Sequence, residues 1–348
     1  MVYRCSLLLA LGLWQLFVPK LFGITSHALI LSEWISGILL IGASFLLRKK
    51  PSQLLSWLAA LIGVWLQFSS LIFWAPTLGI YFSDLMVGAL VIAQTIIFPI
   101  SHDFSHVAPG WSYNPSTGLQ RAPTAILALV GWASSFYMAA YQLHYIDTIW
   151  DPFFHEGTLD VITSAISKSF PVSDAGLGSM SYVLEFLLTL SGGALRWYRT
   201  PWMVVLFGIL VVPLSLVSIA LIILQPLVVG AWCTWCLITA VCMLFMAAFS
   251  IDEVVLVLQY LAHVKRSGLP FWQVFWKGSQ GVELTVERRE GSGFGAMVWG
   301  FTPTWRLILC ALIGLVLLFA ADTDIDSRAS PNQGLHAIME GLAKETAQ

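Results

Sequence analysis

Two thiols are the residues whose type and spacing speak most directly of chemistry. Cys233 and Cys236 stand one helical turn apart in Val229-Gly230-Ala231-Trp232-Cys233-Thr234-Trp235-Cys236-Leu237, at the head of an apolar run that reaches Phe249. Gln225-Pro226 and Gly230 interrupt the chain just before them. The pair is therefore expected near the N-terminus of a membrane helix, close to a water interface. Helix N-termini favour negative charge and lower a thiol pKa. A Cys-x-x-Cys so placed can cycle between dithiol and disulfide. The competing reading is two inert thiols in an apolar helix. A metal site is not expected, because the pair supplies two ligands and no His or second pair is placed nearby. The other cysteines, Cys5, Cys242 and Cys310, read as buried and inert.

The elements that must position this pair are membrane helices. The chain has 348 residues, 58% hydrophobic and 10% charged, where a soluble domain carries roughly a quarter charged residues. This composition predicts an all-α polytopic membrane protein. Basic residues are few and sit at helix ends, so no nucleic-acid partner is expected. A shift of 51 positions pairs Gly12 with Gly63, Trp14 with Trp65, Phe17 with Phe68, Ser32 with Ser83, Glu33 with Asp84 and Gly37 with Gly88. Residues 1–100 are thus a tandem repeat of two-helix units, with helices at 6–24, 28–47, 53–74 and 79–100. The Ser-acid step in each unit is expected to cap its second helix. A polar linker at 101–121 carries His102, Asp103 and His106, read as a solvated connector rather than a metal site. Helices follow at 123–146, 179–194, 202–224 and 231–260, around an amphiphilic loop at 147–178. There Ile162, Ile166 and Phe170 form one apolar stripe, which suits a helical lid or an interfacial helix. A polar segment at 263–300 contains a strand-like run, Val282 to Val286. A ninth helix at 303–320 and a polar tail at 322–348 complete the reading.

Lys and Arg set the orientation. With Arg4 in the cytoplasm, Arg48-Lys49-Lys50, Arg121, Arg196, Arg199, Lys265-Arg266 and Arg306 all fall on the cytoplasmic side. The loop 147–178, the Gln225-Pro226 turn and the Cys pair then share the outer face. In a bacterial cytoplasmic membrane that face is periplasmic or exterior, where thiol oxidation is routine.

Two segments carry a resemblance. Cys233-Thr234-Trp235-Cys236-Leu237, opening the last helix of a four-helix unit, and Ser173-Asp174-Ala175-Gly176-Leu177-Gly178 followed by Tyr182 resemble the vitamin K epoxide reductase family over residues 122–262. The Arg196 to Arg199 turn fits as well. The resemblance implies a four-helix bundle around a quinone (ubiquinone or menaquinone), with Cys233 and Cys236 passing electrons between a protein dithiol and the quinone. It implies Cys233 as the more exposed thiol, exchanging with the partner, and Cys236 as the one facing the quinone. Asp174, Gly178 and Tyr182 would line the quinone site. Trp232 and Trp235 would either wall that site or belong to the interfacial aromatic belt. Residues 1–100 are similar to a two-helix membrane repeat named for a Ser-Pro-Trp motif. It reads Ser32-Glu33-Trp34 and Ser83-Asp84-Leu85 here, without the proline.

One departure shapes the expected partner. Many members of the family carry a second Cys pair in the outer loop, and residues 147–178 contain no cysteine. The thiol partner is then expected to be a separate protein, of thioredoxin fold. The alternative function is a non-catalytic membrane scaffold that binds a partner or lipid and retains a vestigial Cys pair. Glu185, an acid inside an apolar helix, is a further candidate for proton handling.

Overall fold

The computed structural model describes residues 2–50, 52–96, 107–108, 111 and 113–278. The expected ninth helix, the Val282 to Val286 run, the polar tail, His102, Asp103, His106 and Cys310 lie outside the described residues. Within them the fold is helical, with no β-strand. Six helices are long and apolar enough to cross a membrane. Four of these, α2 (His27–Lys49), α3 (Gln53–Ile72), α5 (Gly118–Gln142) and α10 (Thr234–Arg266), are intact single helices. A fifth, α4, spans Leu78–Ile96. The sixth, α9 (Pro201–Leu224), runs on into a wider π-type turn, Gln225–Val229. Two further helices, α1 (Val2–Leu21) and α7 (Asp174–Leu190), complete the set of eight expected from the sequence before residue 278.

Helices α1 to α4 form two hairpins, α1 with α2 and α3 with α4. Residues related by the 51-residue shift make equivalent contacts. A Cβ on Gly12 would meet Gly37 O at 2.8 Å, and one on Gly63 would meet Gly88 O at 2.7 Å, so each hairpin closes through glycines. Between hairpins, Trp14 Nε1 donates to Ser83 Oγ at 2.9 Å, and Trp65 Nε1 donates to Ser32 Oγ at 3.0 Å. The expected capping role of the Ser-acid step is not what these residues do. Helix α2 is capped by Ser26, which accepts from Leu29 N. Ser32, Glu33 and Asp84 instead lie buried inside α2 and α4, because the cross-hairpin bonds and an acid–amide cluster need them there.

Helices α5, α7, α9 and α10 form the second bundle, with α5 lying between α7 and α10. Its end remote from the cysteines is fixed by buried charge. Arg196, in the one-turn helix α8 (Arg196–Arg199), donates from Nε to Glu253 Oε1 at 2.6 Å and pairs through Nη2 with Oε2. Ser116 Oγ donates to the same carboxylate at 2.5 Å, and Arg121 caps the end of α7 through Thr189 O and Ser191 O. Tyr113 is bonded to Asp252. This network carries α10 to Arg266, beyond the expected end at 260. A further short helix, α11 (Phe271–Lys277), lies in the segment read as polar, and its Trp276 packs at 6.3 Å from Trp202 of α9.

The two bundles meet along α3, α4 and α7. Tyr145 Oη donates to Ala75 O at 2.6 Å, Tyr81 stacks on Phe136 at 5.3 Å, and Leu71 fills the space over Gly176.

The glycine contacts make a direct test. At Gly88 a Cβ would lie 2.4 Å from Gly63 O, whereas at Gly42 nothing stands within 4 Å. Gly88→Ala is expected to force α3 and α4 apart and lower the thermal midpoint of the purified protein. Gly42→Ala is expected to hold or raise it, since Ala is favoured over Gly in a helix by about 1 kcal/mol. Thermal scans of the two variants in detergent would check this, and an unaffected Gly88→Ala would contradict the packing.

Candidate functional site

The local sequence around the thiols explains their geometry. Gly230 takes the left-handed backbone conformation, φ 74°, and ends the turn after α9. Its N–H returns to Gln225 O at 2.9 Å, and Gln225 Oε1 accepts from Cys233 N at 3.1 Å. Cys233 is the N-cap of α10: its backbone is extended and its Sγ accepts from Cys236 N at 3.0 Å. The first N–H groups of a helix have no partner inside it, and here a sulfur satisfies one. Cys233 and Cys236 are joined in a disulfide, with Cα atoms 5.2 Å apart.

Asp151 satisfies the neighbouring donor and ties the loop to the helix. It accepts from Thr234 N at 3.2 Å and from the Thr234 hydroxyl. It also accepts from Phe153 N, Phe154 N and Thr158 N at 3.0, 2.8 and 3.1 Å, and from Thr158 Oγ1 at 2.5 Å. Burial pushes the Asp151 carboxyl upward, but the bonds from Phe154, Thr158, Thr234 and Phe153 outweigh it, and it is held below the usual carboxylate range. Beside it, Trp235 Nε1 donates to Trp150 O at 2.7 Å, and Trp150 N donates to Tyr137 Oη at 2.9 Å. The Tyr137 and Trp235 rings meet edge to face at 5.2 Å.

The rest of the loop departs from the expected lid. Helix α6 covers only Gly157–Ile162, and a 3-10 turn follows at Ser167–Ser169. Gln142 Nε2 donates to Ile162 O at 3.1 Å and to Ser167 Oγ at 2.9 Å, which stops α6 and divides the stripe. Ile162 is buried, whereas Phe170 is exposed. At Gly157 a Cβ would stand 2.0 Å from Trp232 O, so only glycine lets α6 approach the cysteine strand this closely.

One face of α5 receives the residues singled out in the sequence. Met138 Sδ lies 3.5 Å from Cys236 Sγ and 4.0 Å from Cys233 Sγ. One turn toward the loop, Gln142 Nε2 donates to Asp174 Oδ1 at 2.5 Å, and its Oε1 accepts from Ser173 Oγ at 2.5 Å. In the other direction Ser135 lies 3.5 Å from a Cβ position at Gly178, and Gly131 leaves room for the Tyr182 ring. Tyr182 Oη donates to Thr239 O at 2.6 Å, and Thr239 Oγ1 bonds Cys236 O at 2.8 Å. Cys236, Asp174, Gly178 and Tyr182 are thus strung along Gly131, Ser135, Met138 and Gln142. The N-cap of α7 is Ser173, which accepts from Gly176 N at 2.9 Å, and Asp174 is the first residue inside the helix.

Two placements differ from expectation. Cys233 is 0% exposed, and Cys236 is only half-buried, so the expected order of access is reversed. The cause is the enclosure of Cys233 by the Gln225 to Gly230 turn and by the core around Met138 and Ala139. Trp232 packs away from the disulfide, against Phe154, Ile222, Leu237 and Ala240, while Trp235 packs with Cys236. Sequence reasoning missed Asp151, Met138 and Gln142. The spacing of Gly131, Ser135, Met138 and Gln142 along one helical face was the available signal for two of them.

These features define an integral membrane protein with a disulfide-forming Cys pair at the start of a bundle helix. Residues 122–251 match the model of the vitamin K epoxide reductase family. No curated protein and no solved structure matches the chain.

The Asp151 tie predicts acid sensitivity. A carboxylate displaced downward on folding contributes stability above its unfolded value, about 3.9, and that contribution is lost as pH falls through the lower folded value. Asp151→Ala is expected to cost about 2–4 kcal/mol, since hydrogen bonds to a charged group contribute roughly 1.5–3 kcal/mol. It should also flatten the acid limb of a stability–pH curve measured by thermal unfolding. An unchanged acid limb would show that the carboxylate does not hold the loop.

Proposed function

We propose that the chain is a membrane thiol–disulfide oxidoreductase that carries electrons from an external protein dithiol to a membrane quinone. The observation that carries the reading is the Cys233–Cys236 disulfide at the N-cap of α10, with one sulfur enclosed and the other half-open. A partner thiolate meets Cys236 first, because Cys233 is covered. Attack on Cys236 Sγ breaks the Cys233–Cys236 bond and releases Cys233 as thiolate, which Cys236 N–H and the start of α10 stabilise. The partner's second thiol then displaces Cys236. The partner leaves as a disulfide and the chain holds a dithiol, with two electrons and two protons transferred. Oxidation of that dithiol restores the disulfide. A quinone supplies the acceptor, taking two electrons and two protons to become a quinol.

The chain's own residues fit such a molecule in two respects. Trp235 and Met138 flank Cys236 with flat and polarisable surface. Both carboxyl oxygens of Glu185 and Nε1 of Trp132 are buried without a hydrogen-bond partner among the described residues. A buried acid of this kind is a candidate to hold a proton beside a quinone oxygen. Asp174 is engaged by Gln142 and Ser167, and Tyr182 by Thr239, so these residues shape the wall. The cysteine end is read as facing the periplasm or exterior, where a thioredoxin-fold partner would dock.

The test is mass-tagged alkylation of the protein in lipid nanodiscs after reduction, with and without a ubiquinone or menaquinone analogue. In a background with Cys5, Cys242 and Cys310 replaced by Ala, two free thiols are expected to disappear on quinone addition, and adding Cys233→Ser or Cys236→Ser should leave one taggable thiol, with Cys236 tagged faster than Cys233. Thiols indifferent to quinone would favour the scaffold reading instead.

A further inference from the structure

The repeat unit holds a polar cluster that the redox chemistry does not use. The shift of 51 residues relates Glu33 to Asp84, and packing of the two hairpins brings these acids together, both 0% exposed. One amide nitrogen, Gln15 Nε2, reaches a carboxyl oxygen of each. Gln15 Nε2 donates to Glu33 Oε2 at 2.5 Å and to Asp84 Oδ1 at 3.3 Å, and Ser70 Oγ donates to Asp84 Oδ2. The repeat partner of Gln15 is Leu66, so the symmetry is broken at this point and the amide reaches both acids from one side.

Several polar atoms here are left over. Glu33 Oε1 and Gln15 Oε1 are buried without a partner among the described residues, as are both polar atoms of Gln67. Gln67 is 1% exposed, one turn from Ser70 on α3, and it lies against Gly88, one turn from Asp84 on α4. No Lys, Arg or His among the described residues pairs with either acid. Helix α3 contributes no titratable group, and Lys20 and His27 are exposed at the cysteine end. The other titratable groups packed nearby are Tyr81, stacked on Phe136, and Tyr145, whose Oη donates to Ala75 O. Helix α7 brings Glu185, Asp174 and Tyr182, which belong to the other bundle.

Two ionised carboxylates cannot hydrogen-bond to one another, and two uncompensated charges inside a membrane bundle are strongly disfavoured. A small cation must therefore enter. Gln15 Nε2 and Ser70 Oγ already donate to the carboxyl oxygens, and a proton shared between the two acids supplies the donor that two carboxylates lack. We propose that Glu33 and Asp84 form a proton-binding site of the repeat unit, in which one proton bridges the two carboxyl groups and a second neutralises the pair.

The experiment is infrared spectroscopy of the full chain in nanodiscs with the disulfide intact, so its outcome is independent of the redox reading. The spectrum of Glu33→Gln/Asp84→Asn is subtracted from that of the wild type, which cancels Glu185. The expected difference is a protonated-carboxyl band at neutral pH that shifts in D2O and roughly doubles on acidification. Gln15→Leu keeps both acids, places there the residue found in the other repeat, and is expected to move the band. It carries the assignment if the double variant does not fold. The proposal is overturned by the absence of a protonated-carboxyl band at neutral pH, or by a band that ignores Gln15→Leu. It is also overturned by a band that responds to sodium replacing choline, which would make the site a metal-cation site.

Discussion

The arrangement around the disulfide depends on a single carboxylate. Asp151 accepts hydrogen bonds from three backbone N–H groups of its own loop and from both donors of Thr234, the first residue of α10. A loop that would otherwise drift over the membrane surface is thereby fixed to the helix start that carries the cysteines. The same interaction divides the helix terminus between two acceptors. Asp151 takes the Thr234 N–H and Cys233 Sγ takes the Cys236 N–H. A negative charge this close opposes a second one on sulfur, while the N–H bonds favour it. In the proposed exchange, the balance of these opposing effects would set how readily Cys233 leaves as a thiolate.

Helix α5 supplies the second constraint. Its inward face presents Gly131, Ser135, Met138 and Gln142, and each meets a different element of the site. The small residues admit Tyr182 and the start of α7, Met138 closes the space beside both sulfurs, and Gln142 ends α6 and holds Asp174. A thioether conforms to irregular surroundings, which suits a position packed against both sulfurs.

Much of this was legible in the sequence, for physical reasons that differ by feature. Apolar length announces helices, so the eight expected before Gly278 are all present, with ends within about six residues, and six of them are long and apolar enough to cross a membrane. Gly230 and Pro226 punctuate the chain, so the Cys pair was placed at a helix start. The misplacements all concern polar residues whose partners are distant in sequence. Ser32 and Glu33 looked like a helix cap because local pattern cannot show Trp65 or Asp84 arriving from another hairpin. The Ile162, Ile166 and Phe170 stripe looked like one helix because nothing nearby reveals Gln142 cutting it. Asp151 looked like one more loop acid. Cys233 looked accessible because its enclosure comes from Gln225, eight residues before it, and from the core around α5.

The attachment of the repeat unit follows from the same packing. Val18, Ile24, Leu29, Leu71, Ile80 and Tyr81 of the repeat belong to one continuous core with Met138, Ala139, Ile162 and Cys233. Leu71 fills the hollow over Gly176, and Tyr81 stacks on Phe136, one residue from the Tyr137 that meets Trp235. The bundle α5, α7, α9 and α10 therefore does not enclose its own disulfide. Part of the core around the disulfide is thus built by the duplicated hairpins, through side-chain packing alone.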